Sequence, residues 1–170
     1  MDIHRGEKNI KISELDPFLA ELLRQLPSSA DPTGTPAAEE RLFSPPANAS
    51  EKEICSEWKI YVEPELRRLF QSATQTVASD LEQLNGSEKA LVNRTLCIPW
   101  KHAEAWLSAL NQARLVIAAK YNFSDAELSD HFRSPIGSRR DLSLFQVNFY
   151  GFLQECILRE LDDSKPGCPD

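Results

Sequence analysis

Apolar residues recur along most of the chain at spacings of three and four, which place them on one face of a helix. The longest such stripe lies between residues 66 and 84, and Asn85 and Gly86 follow it as a C-terminal stop. Its members are Leu66, Leu69, Phe70, Ala73, Val77, Leu81 and Leu84. Pro64 precedes the stripe and removes an amide donor, which predicts a kink or break after a helix that starts near residue 51.

Three more stretches carry the same helical period. The first has Asp16 as its N-cap and Pro17 at its first helical position, and we expect Pro27 to end it. The second, AWLSALNQARLVIAAKY at residues 105–121, is apolar on two sides, which predicts a helix at the centre of the fold. The third begins near Asp141 and places several phenylalanines on one face.

Shorter segments connect these helices. Ser124 and Glu127 form a capping box, which predicts one further short helix. NIKIS at residues 9–13 alternates polar and apolar positions, and RTLCI at residues 94–98 is the other strand-like segment, so we expect the two to pair antiparallel. The proline-rich stretch 28–50 is predicted to be a loop that only AEERLF interrupts.

Together these patterns predict an all-α fold, a helical bundle of four to five main helices with a short two-stranded hairpin near the N-terminus. The 170 residues are long enough for a single domain with one core. We therefore assign residues 1–170 to one helical domain, with the Pro-rich loop at 28–50 and a frayed tail at 163–170.

Composition narrows the classes of partner. The chain is 41% hydrophobic and 26% charged with a net charge of -7, which is typical of a soluble globular protein and disfavours nucleic acid as a partner. The arginines around residues 133–140 and the pair Arg67 and Arg68 form only modest basic patches, and we interpret them as solvated surface. No apolar run is long enough to span a membrane and the first residues lack an apolar signal core, so we expect a cytoplasmic protein.

Arg114 lies in the middle of an apolar face of the predicted central helix. A buried cation needs a carboxylate, and we expect Glu155 from FLQE to supply it, with Asn111 and Gln154 as neutral members of one structural polar layer. On this interpretation, Arg114→Leu would loosen or unfold the protein. The alternative interpretation of the same group is a pocket for a small anion or a nucleotide.

Motifs for catalysis and metal binding are absent from the sequence. The histidines His4, His102 and His131 form no H-E-x-x-H, and no G-x-S-x-G elbow or glycine-rich phosphate loop is present. We therefore expect no enzyme activity, no metal and no cofactor. The four cysteines are widely spaced and are expected to be thiols, which makes all of them candidates for redox sensing: Cys55, Cys97, Cys156 and Cys168.

Three segments resemble, in the same order, the motifs of DUF2017, an uncharacterised family of bacterial proteins. They are RLFSPPA at 41–47, AWLSALNQARLVIAAKY, and FYGFLQECILREL at 149–161, against the family's R-L-F-P-x-A, W-L-x-x-L-N-x-x-R-L and W/F-L-Q-E. The resemblance implies an all-α domain without assigned catalytic activity. The motif residues that it implies are Arg41, Asn111, Arg114, Gln154 and Glu155.

The chain departs from the family pattern at two positions. Ser44 stands where the pattern has proline, and Ile98 stands where a capping Thr or Ser precedes Pro99. The second departure weakens the predicted start of the central helix. Family members are often encoded near the adaptor of the Clp protease, which implies an association with proteolysis or regulation.

The leading hypothesis is a non-enzymatic helical module that binds another protein, in a regulatory role. One alternative is a redox-responsive transcriptional regulator that uses its cysteine thiols, and another is an enzyme with a pocket between helices. The identity of the partner and the oligomeric state do not follow from the sequence.

Overall fold

The first two strands of the chain form a small antiparallel sheet with a third strand from its middle. The strands are β1 (Asp2–Arg5), β2 (Asn9–Leu15) and β3 (Arg94–Pro99), in the order β1-β2-β3. These strands belong to a computed structural model that describes residues 1–46, 50–85, 94–129 and 136–162. Ile10 lies opposite Ile98 and Ile12 opposite Leu96, and all four side chains are buried. The predicted pairing of NIKIS with RTLCI is therefore confirmed.

The third strand corrects the predicted fold class. β1 pairs with β2 on the side away from β3, so the β element is a three-stranded sheet and the protein is mostly helical rather than all-α. The sequence DIHR of β1 carries a single apolar residue and leaves most of its surface exposed, so no alternating pattern marked it. In β2, Glu14 has a φ of 55° within an irregularity between Ile12 and Leu15, which turns Leu15 into the core.

Eight α-helices are described, and two of them begin with proline. Their bounds are α1 (Pro17–Arg24), α2 (Leu26–Ser29), α3 (Pro36–Phe43), α4 (Lys52–Glu57), α5 (Glu63–Leu81), α6 (Ala103–Tyr121), α7 (Asp125–Ser129) and α8 (Arg139–Asp162). A π-helical turn at Trp58–Val62 joins α4 to α5, and 3₁₀ turns at Glu82–Asn85 and Trp100–His102 flank β3. No described helix is both long enough and apolar enough to cross a membrane.

Proline and capping residues set most of these boundaries. The Asp16 carboxylate accepts hydrogen bonds from the backbone amides of Phe18 and Leu19 at 2.8 and 2.9 Å, as its predicted N-cap role requires. Pro27 does not end the helical path as predicted, because it occupies the first turn of α2, where no amide donor is needed. Pro64 lies in the first turn of α5, directly after the π-helical turn, so the helical path does not break there and the irregularity takes the form of that turn.

The predicted loop at residues 28–50 contains more helix than AEERLF alone. α3 begins at Pro36, again because proline is tolerated in a first helical turn. Phe43 at its end is buried and anchors this segment to the core. Residues 47–49 of the loop, Gly86 of the predicted helix stop and the predicted frayed tail at 163–170 lie outside the described residues.

α6 is the central element of the fold. It packs against α8, α5, α3 and α2, and the core around it also takes in the sheet. Trp106 and Leu110 of α6 are completely buried, and the small side chains of Ala109 and Ala113 allow neighbouring helices to approach closely. The predicted capping box is present, since the Glu127 carboxylate accepts from the Ser124 amide at 2.9 Å and α7 follows.

A buried hydrogen-bond chain ties α8 to the first two helices. The Tyr150 hydroxyl donates to the carbonyl of Leu22 at 2.7 Å, and the Gln146 amide donates to the Tyr150 oxygen and to the Ser29 hydroxyl. Burial raises the pKa of Tyr150 to about 12, because the phenolate would lose its hydration. This chain fixes the rotation of α8 about its own axis.

We expect Tyr150→Phe to lower the free energy of unfolding at neutral pH by about 1–3 kcal/mol, since the Leu22 carbonyl and Gln146 lose a partner. The pKa of Tyr150 is raised in the folded state, so the unfolded chain releases this proton first and its stabilising contribution is lost between about pH 10 and pH 12. In urea titrations, the difference in the free energy of unfolding between wild type and variant should become smaller as the pH rises across that range. A difference that stays constant from neutral to alkaline pH would contradict the assignment.

Candidate functional site

A cleft of about 370 Å³ lies between α6 and α8, and we call it the Arg114 cleft. Arg114 reaches into it from α6. The other lining residues all belong to α8: Asn148, Gly151, Phe152, Gln154, Glu155 and Leu158. Because both helices are long and pack on each other, the lining side chains are held by rigid elements rather than by a loop.

Arg114 has one hydrogen-bond partner in the described structure, and it is an uncharged one. Its Nη1 donates to the Oε1 of Gln154 at 2.6 Å. The Nε2 of Gln154 in turn donates to the carbonyl of Leu107 at 3.1 Å, which lies about two turns before Arg114 on α6. Gln154 is thereby held at both ends and presents its oxygen, and not its amide hydrogens, to the guanidinium.

The predicted ion pair between Arg114 and Glu155 is wrong. Glu155 is exposed, lines the edge of the cleft and forms no ion pair with any described residue. Successive residues of a helix point about 100° apart, so the rotation of α8 that turns Leu153 inward and Gln154 toward α6 leaves Glu155 on the outer side. Asn111, the other predicted member of the polar layer, is exposed on α6 and takes no part in it.

Two polar groups in the cleft have unused hydrogen-bonding capacity. The Nε of Arg114 is buried and has no acceptor. Asn148 is only 8% exposed, and its amide makes no hydrogen bond to a described residue. Gly151 provides the space for the guanidinium, because a Cβ at that position would lie 3.3 Å from both Cζ and Nε of Arg114.

A second surface, which we call the apolar arm, comprises residues 52–69. No residue of α4 or of the π-helical turn is buried, although the segment is rich in apolar side chains. Ile60 is 61% exposed and Tyr61 is 73% exposed, and Ile54 and Leu69 are about half exposed. The arm is attached to the body by Trp58, whose indole N–H donates to the carbonyl of Phe43 at 3.2 Å.

The sequence also contained a buried polar cluster that its motifs did not reveal. The Asp80 carboxylate, on α5, accepts from the indole N–H of Trp106 at 2.9 Å and lies 3.0 Å from the Nδ1 of His102. Asp80 falls at helical spacing between Val77 and Leu84 in the longest apolar stripe, and that position was the available signal. A related case is Gln112 of α6, whose buried Oε1 lacks a donor beside a cavity of about 440 Å³.

Comparison with known proteins places the chain in a family. The family model DUF2017, a domain of unknown function, matches residues 9–161. The protein belongs to the DUF2017 family. No curated protein and no solved structure matches this DUF2017 chain. The matched range includes the Arg114 cleft and the apolar arm, and Arg41 of the first family motif lies exposed in the last turn of α3.

The candidate redox thiols of this DUF2017 protein lie on separate elements. Cys55 on α4 and Cys97 on β3 are half-buried, Cys156 on α8 is buried, and all three are thiols. Burial raises the pKa of Cys156, which Arg159 only partly offsets, so less of the reactive thiolate is present at neutral pH. Cys168 lies outside the described residues.

The described residues contain no group of three His, Cys, Asp or Glu side chains that could hold a metal ion. The Nδ1 of His102 is within hydrogen-bond distance of Asp80, and His131 is not among the residues described. Most of the arginines in the basic patches are paired with carboxylates. The pairs are Arg67 with Glu39 and Glu63, Arg68 with Glu65, and Arg140 with Glu127.

The raised pKa and burial of Cys156 predict that it reacts slowest of the three described thiols. Alkylation with iodoacetamide at mildly alkaline pH, followed by peptide mass spectrometry, should modify Cys55 and Cys97 about tenfold or more faster than Cys156. In urea, where burial is lost, the three rates should become similar. Equal rates in the folded protein would show that Cys156 is accessible and would reopen a redox role for it.

Proposed function

We propose that the protein is a non-enzymatic helical module that binds another protein, in a regulatory role, and that it does so through the apolar arm. The observation that supports this function is the exposure of the arm, above all of Ile60 and Tyr61. Apolar surface that stays in water contributes nothing to folding, and its burial against a partner is worth about 25 cal/mol per Å² before the costs of association. Contiguous exposed apolar side chains are typical of interaction surfaces.

The local backbone supports the same proposal. Trp58–Val62 forms a π-helical turn, a conformation that is rare and often found at functional positions. Arg67, which follows the turn, is held by Glu39 and Glu63 and lies 3.8 Å from the ring centre of Phe43. The arm is thereby braced at Trp58 and Arg67, while Ile60, Tyr61 and Val62 between these two points are exposed.

The charges of the arm indicate the chemistry of the partner. Residues 52–69 contain four acidic side chains, Glu53, Glu57, Glu63 and Glu65, and four basic ones, Lys52, Lys59, Arg67 and Arg68. With no net charge, the arm favours an apolar helical face of another protein over a strongly charged segment. We therefore expect binding that depends on apolar burial and changes little with salt concentration.

The test compares a double variant of the arm, Ile60→Ser with Tyr61→Ser, with Ile136→Ser, which removes an isoleucine exposed to 48% elsewhere. All three proteins should have the same melting temperature, because exposed side chains contribute little to folding. A partner captured from the native host and then purified should bind wild type and Ile136→Ser equally in calorimetry. It should bind the arm variant about tenfold or more weakly, at low and high salt alike.

Two results would contradict the proposed function. One is a purified partner that binds the arm variant as tightly as wild type. The other is a wild-type dimer, seen by light scattering, that the arm variant dissociates into monomers, since the arm would then be occupied by a second copy of the chain.

A further inference from the structure

We infer that the Arg114 cleft is a binding site for a monocarboxylate that carries an apolar group. This site lies on α6 and α8, away from the apolar arm, so the inference goes beyond the proposed function and does not depend on it. The starting observation is the absence of a counter-ion, since the sole described partner of Arg114 is the neutral Gln154.

The Nε of Arg114 is costly to leave without an acceptor, because it is buried and gives up water that no described residue replaces. Arginine carries five N–H donors in a planar fork, and the described residues accept from the Nη1 group alone. Gln154 holds that group from the side, and Gly151 leaves room for the plane of the guanidinium. The arrangement fixes the fork while leaving donors for a planar, two-oxygen acceptor such as a carboxylate.

Asn148 is the second observation that points to a ligand. As a residue it is 8% exposed, it lines the same cleft, and its amide has no hydrogen-bond partner among the described residues. The free amide of Asn148 and the unused Nε of Arg114 therefore lie in one cleft, where a single ligand can engage both. An amide N–H of Asn148 can donate to a carboxylate oxygen, and its carbonyl can accept from a neighbouring N–H of the ligand.

The walls of the cleft select the kind of anion. Phe152 and Leu158 are 41% and 48% exposed and offer apolar surface beside the polar floor. Glu155 at the edge repels a second negative charge, and Arg114 is the one cation among the described residues that line the cleft. A phosphate or nucleotide would bring two or more charges to a single arginine next to a glutamate, whereas one carboxylate on an apolar group matches every feature of the lining.

The volume of about 370 Å³ is at the small end of ligand pockets and fits a group of the size of one amino-acid residue. Two sources supply the same chemistry, a short-chain carboxylic acid and the C-terminal residue of a peptide. They differ in the peptide N–H next to the carboxylate, for which the Asn148 carbonyl and the Glu155 carboxylate are acceptors that line the cleft.

The test titrates the ¹⁵N-labelled full chain with N-acetyl-L-leucine and follows the Nε–Hε resonance of Arg114. N-acetyl-L-leucinamide is the matched uncharged probe, hexanoate represents the short-chain acid, and inorganic phosphate represents the polyanions. We expect saturable binding of N-acetyl-L-leucine, about tenfold or more weaker binding of the amide, and weaker binding of phosphate than of either acid. Tighter binding of N-acetyl-L-leucine than of hexanoate supports a peptide source, and the reverse order supports a short-chain acid.

Variants separate the cleft from general surface binding. Gly151→Ala keeps the arginine but forces its guanidinium to move, and it should weaken binding of N-acetyl-L-leucine about tenfold, as should Arg114→Gln. Glu155→Gln should tighten binding about twofold, because a repulsive charge at the edge is removed. Arg139→Gln, an exposed arginine outside the cleft, should bind as wild type does. The backbone amide spectrum of each variant shows whether its fold is that of the wild type.

The inference is overturned if N-acetyl-L-leucine and its amide bind equally, or if neither acid binds up to its solubility limit. It is also overturned if Gly151→Ala, with a wild-type backbone spectrum, binds the acid unchanged. These results would leave the arm proposal untouched, since the arm variants retain the whole cleft.

Discussion

The packing of α6 is the constraint on which the rest of the structure depends. Neighbouring helices cover it on several sides, so a polar side chain on a covered side needs a partner inside the fold. Trp106 finds one in Asp80, and the pair links α6 to α5 while also holding His102. Among the described residues, Arg114 is bonded to the neutral Gln154 alone, and none of them compensates its charge.

The rotation of α8 decides what Arg114 meets. Tyr150 sets that rotation through its hydrogen bond to the Leu22 carbonyl, and Leu153 and Ile157 complete the buried face of the helix. Gln154 then faces α6 and Glu155 faces solvent. Tyr150, which packs α8 against the first helices, therefore also determines which side chains line the Arg114 cleft.

The parts of the fold that sequence predicts well are those with strong local signals. Asp16 before Pro17, the capping box at Ser124, the proline in the first turn of α5 and the alternation around Ile10 all act within a few residues, and the structure contains each of them. β1 lacked such a signal, because an exposed edge strand needs no apolar alternation. The prolines around α3 predict a loop, but Pro36 occupies the first position of that helix, where proline is tolerated.

The site was predictable only in part, for a physical reason. An apolar stripe shows that Arg114 lies on a covered face, but it does not fix the rotation of the facing helix to within the 100° that separates Gln154 from Glu155. Charge alone favoured the glutamate. Packing of Tyr150 and Leu153 favoured the rotation that turns the glutamine inward, and packing prevailed because it involves far more buried surface than one ion pair.

The expectation that Arg114 stabilises the fold rested on the ion pair with Glu155, which the structure does not contain. The most direct test of the role of Arg114 is the free energy of unfolding of Arg114→Met in urea, without any added carboxylate. Met keeps the apolar stem and removes the uncompensated charge, and the half-buried Gln154 can bond water in place of the guanidinium, so we expect a value within about 1 kcal/mol of wild type, or a higher one. A loss of about 3–5 kcal/mol would show that the fold depends on the charge of Arg114 and would contradict the account.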